Sequence, residues 1–222
     1  MKITAVKSHV LGYDLPEELG YSQAMFQRRS AHIVEVSTDG GLTSWGECFG
    51  PGNVALANRA IVEQVIAPLI TGRDPLDRQI LWHEVYNALR DHGQKGMPLQ
   101  ALSGIDIALW DLAGKIAGLP LCKLIGGRRV DRVPVYGYGM MLRREDPASL
   151  AARFTDEAAA IREMGFAATK MKIGMGAEID VKLAEAVRRG VGDDFPFMAD
   201  ANHCYQIGDA KYVGAALDEL GA

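Results

Sequence analysis

The sequence of 222 residues has few cysteines and no excess of positive charge. Cys48, Cys122 and Cys204 are odd in number and far apart, so we expect buried thiols in a reducing compartment and neither a disulfide framework nor a zinc site. Lysine and arginine number 24, against 28 aspartates and glutamates. Because nucleic acids and anionic membranes usually bind basic surfaces, we expect neither kind of partner.

Long hydrophobic runs and low-complexity linkers are also missing. No stretch of about 18 apolar residues occurs, and the opening residues MKITAV do not begin a signal-peptide core. We therefore expect a cytoplasmic protein. Hydrophobic residues nevertheless make up 48% of the chain, which is enough to bury a substantial core in one or two domains.

Residues 1–130 have the pattern of an α+β domain. Alternating hydrophobicity predicts three strands, at 2–11, 30–38 and 42–47. The stretch 12–22, with glycine, proline and acidic residues, is predicted to be a loop. Helical periodicity then predicts helices at 54–70, 75–90, 99–117 and 121–125. Strands followed by helices are typical of the α+β class.

From residue 131 onwards, strands and helices are predicted to alternate. The strands are expected at 133–138, 166–173 and 195–200, and the helices at 147–164, 178–189 and 208–220. A β-α-β-α-β-α order implies a parallel sheet with crossover helices.

Lys170 and Lys172 lie on the second of these strands, where alternation puts both side chains on one face. Repulsion between the two ammonium groups, together with burial, is expected to lower both pKa values, which would make a usable general base. Asp200, at the end of the next strand, offers a hard oxygen ligand for Mg²⁺. A solvated strand face would give the same lysine pattern, and Asp200 could instead cap the following helix.

This order of elements, with K-x-K ending the second strand of the second part and D-x-N ending the third, resembles the enolase superfamily, in its mandelate racemase and muconate lactonizing branches. The supporting segments are WGEC at 45–48, ALSGIDIALWD at 101–111 and LIGG at 124–127. YNALRDHGQKG at 86–96 and DANHCY at 200–205 resemble galactarolactone cycloisomerases and their sugar-acid relatives.

The resemblance implies an α+β capping domain over 1–130, and over 131–222 the first three βα units of a (β/α)₈ TIM barrel, which needs eight units and about 250 residues. It implies Mg²⁺-dependent abstraction of the proton α to the carboxylate of an acid sugar or its lactone. The resulting enediolate would then be cycloisomerised, dehydrated or racemised. Lys172 would be the base, Lys170 its electrostatic partner, and Asp200 a metal ligand.

Substrate-binding residues are also implied by the resemblance. Tyr21 falls in the cap loop that closes over the site in relatives, and Arg90 and His92 fall in a polar loop suited to a hydroxylated acid. Asn202 could contact substrate or cap the next helix. In several acid-sugar dehydratases a histidine stands at the position of Asn202, which argues against those subfamilies. Loop residues of these types are also common on ordinary surfaces.

Three βα units leave unpaired strand edges, so we expect a homo-oligomer or association with the rest of a barrel.

Two other interpretations remain open. A chain without the remaining metal ligands would be a non-catalytic fragment of such an enzyme. The lysines would also fit a Schiff-base aldolase, in which one of them binds a carbonyl substrate covalently.

Overall fold

The computed structural model describes residues 1–222, and these divide into two compact units. The first unit consists of Met1–Asp14 and Arg28–Asp131. The second consists of Leu15–Gln27 and Arg132–Ala222. A segment from near the start of the chain therefore belongs with its C-terminal half.

The first half of the chain contains three strands followed by helices, as predicted. The strands are β1 (Ile3–Tyr21), β2 (Ala24–Thr38) and β3 (Thr43–Cys48). The helices are α1 (Val54–Ile61), a π-helical segment (Val62–Ile66), α2 (Ala67–Ile70), α3 (Arg78–Leu89), a 3₁₀ turn (Arg90–His92), α4 (Met97–Ala117) and α5 (Leu121–Leu124).

The three strands form one sheet in the order β1-β2-β3, and β2 and β3 are antiparallel. Val34 and Val36 of β2 are completely buried because alternate residues of a strand face the same side. Helix α4 covers that side with a stripe that includes Ile105, Leu109 and Leu112. Pairing and helix cover together enclose the core of the first unit.

The second half of the chain has the predicted alternation. Its elements are β4 (Gly137–Tyr138), α6 (Pro147–Glu163), β5 (Thr169–Lys172), α7 (Ala177–Val191), β6 (Phe197–Asp200) and α8 (Ile207–Glu219). The strands form a parallel sheet in the order β4-β5-β6. Asp146 fixes the start of α6, since its carboxylate accepts hydrogen bonds from the backbone N–H groups of Ala148 and Ser149.

The core of the second unit lies between this sheet and its helices. Phe154 of α6, Met171 of β5 and Phe197 of β6 are each at most 1% exposed. They pack with Leu183 and Val187 of α7. Met171 therefore points away from the lysine face, as alternation requires.

Three predictions are wrong in detail. Residues 12–22 are almost all strand, because β1 runs to Tyr21 and turns at Ser22 and Gln23 into β2. Pro16 is tolerated there because β1 is an edge strand, where a missing N–H breaks no pairing on the open side. The strand expected at 133–138 is only Gly137–Tyr138, and Cys122 is exposed.

None of the α-helices combines the length and the apolar character that crossing a membrane requires.

Close packing of β3 on α4 predicts a large effect at Gly46. A Cβ at this position would lie 2.0 Å from the carbonyl oxygen of Gly104 and 2.8 Å from the backbone nitrogen of Ala108. Gly46→Ala should therefore lower the free energy of unfolding by at least about 2–3 kcal/mol, measured by urea denaturation.

Gly214→Ala is the matched control. Gly214 lies within α8, and no atom stands within 4 Å of an added Cβ. That substitution should leave stability unchanged or raise it by up to about 1 kcal/mol. Equal midpoints for Gly46→Ala and the wild type would contradict the packing described for β3 and α4.

Candidate active site

The carboxyl ends of β5 and β6 bring Lys170, Lys172 and Asp200 together. Lys172 stands opposite Asp200 in the strand register. Its Nζ donates a hydrogen bond to Asp200 Oδ2 at 2.7 Å, and Lys170 Nζ lies 3.5 Å from the same oxygen. The predicted placement of both lysines on one face is confirmed. Their catalytic roles remain predictions.

Asn202 completes the group around Lys172. Its Oδ1 accepts a hydrogen bond from Lys172 Nζ at 2.8 Å, and its backbone N–H donates to Asp200 Oδ1 at 2.8 Å. The turn requires a left-handed backbone at Asn202, with φ of 56°, which asparagine tolerates better than most residues. Helix α8 begins only at Ile207, so the alternative of Asp200 as its capping residue is wrong.

Three tyrosine rings surround the lysine pair. Lys170 Nζ lies 5.3 Å and 5.1 Å from the ring centres of Tyr136 and Tyr138. Lys172 Nζ lies 5.7 Å from the ring centre of Tyr21. Tyr21 was predicted for the site, but Tyr136 and Tyr138 were missed. The signal was available, because Y-x-Y in the strand expected at 133–138 alternates in the same way as K-x-K.

Tyr21 reaches the lysines because the end of the β1–β2 hairpin is anchored within the second unit. Gly20 and Leu142 exchange two backbone hydrogen bonds, of 2.8 and 3.0 Å. Ser22 Oγ donates to the carbonyl oxygen of Ala201 at 3.0 Å. The hairpin also forms two ion pairs with the loop between β4 and α6, Arg143–Glu17 at 3.2 Å and Arg144–Glu18 at 2.6 Å.

The electrostatics of Lys170 differ from the prediction. Burial lowers the pKa of Lys170, but the Tyr136 hydroxyl and the Asp200 carboxylate raise it by more, so the net shift is upward and the expected lowering is wrong. The hydrogen bond from Lys172 holds the pKa of Asp200 below its ordinary value, although burial acts in the opposite sense. The lysine side chains are well covered, with 24% of Lys170 and 8% of Lys172 exposed.

Arg90 and His92 lie in the first unit, whereas the lysine pair lies in the second. They form the 3₁₀ turn after α3, and Arg90 contacts Asn87 at 3.5 Å and Asp91 at 3.9 Å. Their predicted contact with a substrate is not tested by these interactions and stays a prediction.

The residues of the site meet only part of what a Mg²⁺ ion requires. Asp200 is a hard oxygen ligand at a strand end, with 29% of its side chain exposed. No group of three or more histidine, cysteine, aspartate or glutamate side chains is placed to hold a metal ion. Mg²⁺ takes near-octahedral oxygen coordination, commonly with one or two carboxylates. Asp200 therefore suits a single ligand position, and these residues alone do not form a complete site.

Comparison with known families gives two matches. Residues 14–126 match the family described as mandelate racemase / muconate lactonizing enzyme, N-terminal domain. Residues 153–222 match the family described as enolase C-terminal domain-like.

Two curated relatives share much of this sequence. D-galactarolactone cycloisomerase of Agrobacterium fabrum is 42% identical over 214 residues, which cover 96% of this chain and 55% of the relative. Arabinonate dehydratase of Saccharolobus solfataricus is 34% identical over 190 residues, which cover 85% and 49%. The chain thus spans about half the length of these relatives.

Solved structures agree with the sequence matches. A member of the enolase superfamily from Polaromonas sp. JS666 superimposes with a TM-score of 0.88 at 34% identity, over 100% of this chain and 57% of that one. A racemase from Streptomyces coelicolor A3(2) with bound magnesium superimposes with a TM-score of 0.89 at 30% identity, over 98% and 60%.

The turn at Asn202 predicts a difference between two substitutions. Asn202→Gly keeps the left-handed backbone but loses the hydrogen bond from Lys172, which should lower the free energy of unfolding by about 1 kcal/mol. Asn202→Ala loses the same bond and also strains the backbone. Its free energy of unfolding should therefore be about 1 kcal/mol below that of Asn202→Gly. Urea denaturation of both variants measures the difference, and equal stabilities would argue against the strained turn.

Proposed function

This chain belongs to the mandelate racemase / muconate lactonizing enzyme family of the enolase superfamily, and on that basis we propose that it carries part of the active site of an acid-sugar enzyme. The reaction is abstraction of the proton α to a carboxylate, on an acid sugar or its lactone. The enediolate that forms is then cycloisomerised, dehydrated or racemised.

One observation carries this proposal: two lysines on adjacent positions of one strand face meet a single carboxylate on the next strand. Lys172 Nζ is held at 2.7 Å by Asp200 and at 2.8 Å by Asn202, while Lys170 Nζ stands 3.5 Å from Asp200. The side chains of Lys172 and Lys170 are only 8% and 24% exposed, and ammonium groups withdrawn from water are costly unless they are paired.

Lys172 is the base in this proposal. Its contacts with Asp200 and Asn202 fix the position of Nζ, and the neutral amine form of Lys172 is the one that takes the α-proton. Lys170 supplies a second positive charge beside it, where a substrate carboxylate can be bound. The rings of Tyr21 and Tyr138 lie next to Lys172, whose side chain is only 8% exposed.

Asp200 would hold Mg²⁺ in the whole enzyme, together with ligands from the part of the fold that this chain does not span. When bound, the ion supplies positive charge that offsets the carboxylates around it. The structure of the Streptomyces coelicolor racemase with bound magnesium supports this choice of metal.

The substrate class rests on the relatives and on the polar turn after α3. Two of the relatives are named for acting on D-galactarolactone and arabinonate. Arg90, Asp91 and His92 offer donors and acceptors for several hydroxyl groups. We infer a polyhydroxylated carboxylic acid or its lactone as substrate.

Lys172→Ala in the full-length protein should lower the exchange of the α-proton with solvent deuterium by about 10²- to 10⁴-fold, because general-base catalysis contributes that much. Mg²⁺ binding should persist, since Lys172 is not a metal ligand. Proton NMR in D₂O with an acid-sugar substrate measures the exchange, and titration calorimetry measures the metal.

Two controls accompany that experiment. Asp200→Asn should weaken Mg²⁺ binding, and Lys211→Ala removes an exposed lysine of α8 and should leave exchange unchanged. Exchange that persists in Lys172→Ala with Mg²⁺ present would assign the base elsewhere. Borohydride trapping of a lysine–substrate adduct would favour the Schiff-base alternative.

A substrate screen tests the class. The full-length enzyme should prefer acid sugars and their lactones over N-acyl hydrophobic amino acids by at least about 10²-fold in kcat/KM, because polar groups left without partners penalise the apolar acids. Preference for the N-acyl amino acids would overturn the assignment of the substrate while leaving the role of Lys172 intact.

A further inference from the structure

Asp180 is a completely buried carboxylate that the reaction proposed above does not use. It lies in the first turn of α7, and none of the ion pairs of the chain includes it. A buried carboxylate without a cationic partner must be satisfied by hydrogen bonds. The donors of those hydrogen bonds therefore show which segments the carboxylate holds together.

Three of the hydrogen bonds come from the loop that follows the lysine strand. Asp180 Oδ1 accepts from the backbone N–H groups of Gly174 at 2.9 Å and Met175 at 3.0 Å. Asp180 Oδ2 accepts from the N–H of Gly176 at 3.2 Å. Gly174 is two residues after Lys172, so the carboxylate fixes the backbone just beyond the lysine.

The fourth hydrogen bond comes from the loop after the next strand. Tyr205 Oη donates to Asp180 Oδ2 at 2.5 Å, and Tyr205 is three residues after Asn202. Burial, followed by the hydrogen bond to Asp180, raises the pKa of Tyr205, so its hydroxyl keeps the proton that it donates. The Asp180 carboxylate thus connects the loop after β5, the strand that carries Lys172, to the loop after β6, which contains Asn202.

The loops are also packed tightly. Gly174 has φ of 126°, and a Cβ at this position would lie 2.2 Å from Ser22 Cβ and 2.9 Å from Cys204 Sγ. Beyond the strands themselves, the backbone N–H of Ile173 donates to the carbonyl oxygen of Asp200 at 3.2 Å. The Asp180–Tyr205 bond continues this connection past the end of the sheet.

We propose that Asp180 and Tyr205 are positioning residues that hold Lys172 against Asp200 and Asn202. The inference rests on the proposed function in one respect, namely that the position of Lys172 matters for the reaction. The position of the Lys172 side chain is measurable without turnover.

The reactivity of Lys172 towards a small amount of an amine-reactive reagent tests whether Asp180 and Tyr205 hold its side chain in place. In the wild type, the Lys172 side chain is 8% exposed and its Nζ donates hydrogen bonds to two acceptors, so acetic anhydride should modify Lys172 far more slowly than the exposed Lys211. Tyr205→Phe keeps the ring and removes only the hydroxyl. The ratio of Lys172 to Lys211 modification, read by mass spectrometry, should rise about tenfold, because charge-assisted hydrogen bonds are among the strong ones.

Tyr212→Phe is the matched control, since Tyr212 is an exposed tyrosine of α8. It should leave the ratio unchanged. A purely structural role for Tyr205 would lower the melting temperature without changing the ratio well below that temperature. A ratio within twofold of the wild type would overturn the proposal.

A measurement on the wild type keeps the claim testable if Tyr205→Phe does not fold. The amide hydrogens of Gly174, Met175 and Gly176 should exchange with solvent as slowly as those inside α7, because each is bonded to a buried acceptor. Free exchange at all three would overturn the proposal. If the labelling ratio changes while α-proton exchange is absent in the wild type, the positioning holds and the proposed reaction fails.

Discussion

Two ammonium groups on neighbouring positions of one strand face repel each other, and the whole candidate site depends on the one carboxylate that contacts both. Like charges in partly buried surroundings repel more strongly than they do in bulk water. Asp200 offsets this by placing one oxygen within 3.5 Å of both lysine nitrogens. The left-handed turn at Asn202 and the parallel register of β5 and β6 both keep that oxygen in position.

Much of the fold was predictable because its signals are local. Period-2 alternation placed Lys170 and Lys172 on one face, which is confirmed, and the same alternation puts Met171 in the core. Apolar residues that recur about every 3.6 positions predict helices such as α4 and α6. The Asp146-Pro147 pair also predicts the start of α6. The contact of the lysines with Asp200 followed from the βα order, since parallel strands end on the same edge of the sheet.

Other features depend on contacts that no local pattern records. Residues 12–22 were predicted as a loop because proline, glycine and charges dominate their sequence, yet almost all of them are strand because they pair along an edge. The upward shift in the pKa of Lys170 was missed because the sequence shows the neighbouring lysine but not the distances to Tyr136 and Asp200. Asp180 resembles any acidic residue in the first turn of a helix.

The hairpin end also has a consequence for how the chain folds. The hydrogen bond between Ser22 and Ala201 spans 179 residues, and the ion pair between Glu17 and Arg143 spans 126. Contacts this distant in sequence require loop closure before they give any stabilisation, and they slow folding. During synthesis the segment that carries Tyr21 leaves the ribosome long before Ala201 is made. Until then the open edge of the hairpin end has no partner, and unpaired strand edges are prone to aggregation.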